Sequence, residues 1–90
     1  MIAFIMEAEM ARFDINDPSS LGVALRKTRK SLKISQEDLS LQTGISRTTI
    51  RAIEQGKQTA HLGLVLQLCR DLGLILVANA PDREERHDGS

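Results

Sequence analysis

The apolar positions fall into four groups, separated by glycines and by residues that open helices. Leu21, Leu25, Thr28 and Leu32 share one helical face, which predicts a first helix over about residues 21–32. It would be opened by Ser19 or Ser20, within the turn-and-start cluster Asn16-Asp17-Pro18-Ser19-Ser20. Ser35 with Asp38 three residues on is a capping-box pattern and predicts a second helix through Leu39 to Thr43, stopped by Gly44. Ser46 is expected to cap a third helix over residues 47–55, with Gly56 beyond it, and Thr59 a fourth, ending at Leu72 and Gly73. The apolar residues of the fourth helix, from Leu62 through Leu66 to Leu72, cover more than one stripe, so a second face is expected to be buried against another chain.

Two apolar stretches do not follow the helical period. Leu74-Ile75-Leu76-Val77-Ala78 is continuous and β-branched, the signature of a buried strand. A single strand is not stable alone and its exposed edge would aggregate, so the same strand of a two-fold partner is the simplest mate. With Leu66, residues Leu74, Ile75, Leu76, Val77 and Ala78 are the expected dimer interface. Phe13-Asp14-Ile15 alternates and reads as a short strand or a docking arm. The division expected is an N-terminal arm over 1–18, one domain over 19–80 and a charged, disordered tail over 81–90. Met6 and Met10 are alternative starting residues.

Composition limits the alternatives. Ninety residues allow one domain, and 41% hydrophobic residues suffice for a small core. One cysteine cannot build a disulfide scaffold, so a reducing compartment is expected. The N-terminal apolar run ends at Met6, too short for a signal peptide, and no stretch approaches the roughly 20 apolar residues of a membrane span, so a cytoplasmic, nucleoid-associated protein with no membrane partner is expected. Cys69 reads as core, His61 and His87 have no ligands at metal spacing, and no nucleophile-base arrangement is present. The expected protein is therefore not an enzyme and takes no cofactor or metal.

The net charge of zero argues at first against a nucleic-acid partner. It is an average. Residues 1–25 carry −3, residues 26–58 carry +5 and residues 59–90 carry −2. A basic centre of this kind is the footprint of a polyanion binder, although Arg26 to Lys33 alone would read as a solvated helix face.

The segment from Gln36 to Gln55 then gives that charge a setting. Leu39 faces inward, Ser40 is small where two helices cross, Gly44 makes the turn, and Ile45, Ile50 and Ile53 are apolar in register. This pattern, followed by Gly56 and Lys57, resembles the helix-turn-helix of Xre/Cro-type repressors. The resemblance implies an all-α, four- to five-helix repressor-like domain whose second motif helix enters the DNA major groove. It places Ser46, Arg47, Thr48 and Arg51 as base readers, with Ala52 on the same side. Arginines four apart share a face, and each can bond the two major-groove acceptors of guanine. Phosphate contacts are implied for Gln36, Thr49, Lys57 and Thr59, and further for Lys27 and Lys30. Arg29 and Glu54 are implied as a structural ion pair.

The run after Gly73, a strand and a short polar tail, resembles HipB-type antitoxins over about residues 20–80. That resemblance implies a homodimer whose C-terminal strands form an intermolecular sheet, binding to a palindromic operator in double-stranded DNA, and a HipA-like kinase toxin as partner. The expected function is a sequence-specific repressor acting as antitoxin of its own operon. The alternatives are a stand-alone regulator without a toxin, and a toxin-holding module with little DNA binding. The operator sequence and any small-molecule inducer are not legible in the residues.

Overall fold

The computed structural model describes residues 11–82; residues 1–10, with the alternative starts Met6 and Met10, and residues 83–90 of the expected tail lie outside the described residues. Four helices follow one another: α1 (Pro18–Ser31), α2 (Gln36–Thr43), α3 (Arg47–Glu54) and α4 (Leu62–Leu72).

The first helix begins three residues earlier than the apolar pattern suggests, and its cap is Asp17 rather than Ser19 or Ser20. Proline at the first helical position loses no hydrogen bond and is already bent for the helix, so Pro18 extends α1 backwards. The Asp17 carboxylate accepts from the Ser20 amide at 2.8 Å, and the Ser20 hydroxyl oxygen accepts from the Asp17 amide at 3.1 Å. The Ser20 amide, and after it the Ser20 side chain, hold the Asp17 carboxyl below its ordinary pKa. The buried face of α1 is Gly22, Ala24, Leu25 and Arg29. Leu32, expected on that face, is half exposed, because the helix ends at Ser31 and Arg29 closes the buried stripe instead. Lys33 then turns the chain with φ 61°, a left-handed conformation unusual for a residue with a Cβ.

Helix α2 opens as expected, with Ser35 Oγ accepting from the Asp38 amide at 2.9 Å. It ends at Gly44, whose φ of 79° favours glycine and whose amide donates to the Ser40 carbonyl at 2.8 Å. Helix α3 stops one residue short of expectation, with Gln55 as its cap.

Helix α4 corrects the sequence reading at its start. Thr59 does not cap it; His61 holds the cap position and makes no side-chain cap hydrogen bond. Ala60 packs against the core, so the helix begins only after the chain has come inward. Within one chain α4 buries a single stripe, Val65, Leu68, Cys69 and Leu72, while Leu66 is half-buried and Leu62 exposed. Burial raises the pKa of the Cys69 thiol, in keeping with a core role.

The core joins all four helices through Leu25, Leu39, Ile50, Ile53, Leu68 and their neighbours. Helix α1 packs on α3 and α4, and α2 packs on α3. Residues 74–82 form neither helix nor strand in the single chain, and Ile75 and Val77 are 82% and 76% exposed. The expected strand lacks the neighbour that strand hydrogen bonds require. Among the described residues, no helix is long and apolar enough to cross a membrane.

Candidate nucleic-acid interface

Helix α3 has two unlike faces. Ile50, Ile53 and Glu54 are buried, whereas Arg47, Thr48 and Arg51 are exposed. Arg47 and Arg51 lie one turn apart, and among the described residues neither has an ion-pair partner. Ala52 is half-buried at the edge of that face.

The start of α3 is held by its own side chains. Ser46 Oγ accepts from the Thr49 amide at 3.1 Å and donates to Thr49 Oγ1 at 2.9 Å. The hydroxyl of Ser46, expected to read bases, is therefore engaged as the helix cap. The turn before it is tied in the same way: Thr43 Oγ1 donates to the Leu39 carbonyl at 2.8 Å and accepts from the Ile45 amide at 3.1 Å. Gln67 of α4 donates to the Thr43 carbonyl at 3.2 Å, so the turn is fixed from outside as well.

The orientation of α3 depends on a buried polar cluster. Arg29 grips Glu54 in bidentate fashion, Nε to Oε2 at 2.7 Å and Nη2 to Oε1 at 3.1 Å. Its Nη1 donates to the Ile34 carbonyl at 2.7 Å. Both residues are buried, at 6% and 7% exposure. Gln36, expected to meet a phosphate, donates from Nε2 to Glu54 Oε1 at 3.0 Å. A carboxylate only accepts, so the amide nitrogen must face it, and one amide N–H of Gln36 remains available. One glutamate on α3 thus receives donors from α1 and from the first turn of α2. No buried side-chain nitrogen or oxygen among the described residues lacks a partner.

Gly22 was not singled out by the sequence pattern, yet it sets how closely α1 approaches α3. A Cβ there would lie 2.5 Å from the carbonyl oxygens of both Ile53 and Glu54. Alone, a glycine between Leu21 and Val23 carries no signal that distinguishes a helix crossing from a solvent position.

The remaining candidates are on the surface. Lys27 and Lys30 are exposed on α1, and Lys57 and Thr59 are exposed in the loop after α3. The Lys57 amide donates to the Ala52 carbonyl at 3.0 Å, which holds this loop against the end of α3. Among the described residues there is no cluster of His, Cys, Asp and Glu able to hold a metal ion.

The helix-turn-helix family model matches residues 25–75, more than half of the chain. The chain belongs to the Xre-type helix-turn-helix family. An uncharacterized HTH-type transcriptional regulator of Sinorhizobium fredii is 32% identical over 72 residues, which cover 80% of this chain and 95% of the relative. A second such regulator, from Methanothermobacter thermautotrophicus, is 39% identical over 49 residues, covering 54% of this chain and 71% of the relative. The fold is similar to that of HipB in a HipB–O4 20mer complex, with a TM-score of 0.69 at 22% identity, covering 77% of this chain and 97% of that one. A HipA–HipB–O2–O3 complex contains a chain equally similar, at a TM-score of 0.69 and 22% identity and with the same shares covered.

Proposed function

We propose that this chain is a sequence-specific repressor that binds a palindromic operator in double-stranded DNA as a homodimer. The observation that carries the proposal is the outer face of α3, where Arg47, Thr48 and Arg51 are exposed on a helix whose inner face is locked into the core. In this reading α3 enters the major groove, and the recognition helices of the two protomers stand about 34–36 Å apart. Arg47 and Arg51 read guanine edges, Thr48 meets a thymine methyl or a phosphate, and Ser46 sets the helix start. Phosphates are met by Gln36 through its free amide N–H, by the Thr49 hydroxyl, by Lys57 and Thr59, and on the flank by Lys27 and Lys30. The +5 charge of residues 26–58 supplies the non-specific attraction, so affinity falls steeply with salt.

The same reading makes the protein the antitoxin of an operon that it represses itself, with a HipA-like kinase toxin as partner. Its support is the likeness of the fold to HipB, including HipB in a HipA–HipB–O2–O3 complex. Both regulator relatives are named as HTH-type transcriptional regulators, which supports a stand-alone regulator as the second reading.

Mobility shifts on the upstream region of the gene test the main proposal. Arg47→Ala and Arg51→Ala should each cost about 1–3 kcal/mol of specific binding while leaving thermal stability within about 0.5 kcal/mol. Unchanged operator affinity in both variants would remove them as readers. Co-purification with the product of the adjacent gene separates the two readings: a stable complex with a kinase supports the antitoxin, and its absence supports the stand-alone regulator.

A further inference from the structure

The two stretches that lie outside the helical pattern, residues 11–16 and residues 74–79, face each other across a gap in the fold. Together they line an open cavity of about 1050 Å³, with Ala24 of α1 also in its wall. A second groove of about 430 Å³ lies between the 74–76 segment and the end of α4, lined by Leu66, Cys69 and Arg70. The segment thus has a gap on both sides. Its backbone is unpaired: apart from the Leu74 amide, which donates to the Cys69 carbonyl at 2.8 Å, no backbone hydrogen bond joins residues 74–79 to another described residue. Residues 11–16 likewise have no backbone–backbone hydrogen bond among the described residues.

The larger cavity is an open cleft, unlike the site of an ordinary small molecule, which buries most of its ligand. Its walls are also of a different kind, two lengths of chain carrying β-forming side chains and unmatched amides and carbonyls. Such walls fit a polypeptide strand. A strand from a second copy of this chain is the natural occupant, since residues 74–78 are the interface expected for the homodimer proposed above, on which this inference rests.

A sheet of only the two 74–78 strands would be marginal unless a helix or further strands cover it, and the larger cavity separates these strands from a helix over most of their length, leaving residues 11–16 as the nearest chain on that side. We infer that residues 13–15 supply the missing strands. The 74–78 strand of the partner lies in the larger cavity, between the arm and the 74–78 strand of the same protomer. By two-fold symmetry, each arm then pairs with the strand of the other protomer, giving the order arm, partner's strand, own strand, partner's arm. The smaller groove receives the arm of the partner. Ile15, Ile75 and Val77, exposed in the single chain, become covered, and Phe13 and Ile15 face one side of the sheet while Asp14 faces the other.

The test uses full-length chains carrying single substitutions, Ile15→Cys and Ile75→Cys, mixed, allowed to exchange subunits and treated with a flexible bis-maleimide. Light scattering of the unmodified chain is run alongside. In the mixture a link between positions 15 and 75 can only join two chains, and its detection by mass spectrometry supports the crossed arm. Phe13→Asp combined with Ile15→Asp should raise the dimer dissociation constant at least roughly tenfold. A dimer that links 75 to 75 but never 15 to 75, and that keeps its affinity in the double aspartate variant, overturns the arm placement while leaving the dimer intact. An unmodified chain that is monomeric at all concentrations overturns the dimer reading itself, and the crossed sheet with it.

Discussion

The contact between α1 and α3 and the segment after α4 use the chain in opposite ways. At the first, every buried side-chain nitrogen and oxygen has a partner and the backbones approach as closely as a missing Cβ allows. At the second, apolar side chains face solvent and the backbone has almost no partners among the described residues. The first region is complete within one chain, and its outer surface is left free to meet something else. The second is incomplete within one chain, and its composition matches a copy of itself. Proposed DNA recognition is thus built on the part of the molecule that is internally satisfied, and proposed assembly on the part that is not.

The most severe way to break the contrast is to unsatisfy the first region. Glu54→Ala strands the Arg29 guanidinium in the core and removes the acceptor of Gln36. It should cost about 3–5 kcal/mol, enough to unfold a domain with about 5 kcal/mol of stability, as read by chemical denaturation. Gly22→Ala keeps every hydrogen bond but places a methyl against two backbone carbonyls, and should cost about 1–3 kcal/mol by the same measurement. If Gly22→Ala proves neutral, the close approach of α1 to α3 is not what fixes the recognition helix. A smaller change sharpens the contrast in the other direction. Lys33→Gly removes a left-handed strain while adding backbone freedom to the unfolded chain, so it should stabilise by at most about 1 kcal/mol, seen as a higher melting temperature.

The smallest expected effect is that of pH at the start of α1. The Asp17 carboxyl has a lower pKa folded than unfolded, so the ionised form supports the fold. Its contribution is present above the unfolded value and is lost as pH falls through the folded one. Asp17→Ala should therefore lower the melting temperature at neutral pH, and the difference from the unmodified chain should shrink on acidification below the ordinary carboxylate range. A difference that is independent of pH would show that the cap acts without its charge.

Much of this was legible in the residues, for local reasons. Ser35 and Ser46 cap helices, and Gly44 stops one, because each role needs a particular residue at one place in the chain. Where several suitable residues stand together, the choice depends on context: Asn16 to Ser20 offered four capping side chains, and Pro18 decided for Asp17. Contacts between distant elements were the least legible. Nothing local marks Gly22 as a crossing point, sends Leu32 to the surface, or turns Gln36 toward a glutamate eighteen residues on. The apolar run at 74–78 carries strand-forming residues, but strand structure is set by a neighbour rather than by the run itself, and residues 74–82 form no strand in the single chain.

The clamp on Glu54 also bears on how such a protein diverges. All three of its protein donors, from Arg29 and Gln36, reach α3 from the inner side, and none involves Arg47, Thr48 or Arg51. Duplicated copies could exchange those three side chains for others without disturbing the scaffold, so that, under the proposed reading, new operators are acquired by substitution at the surface while the frame is inherited unchanged.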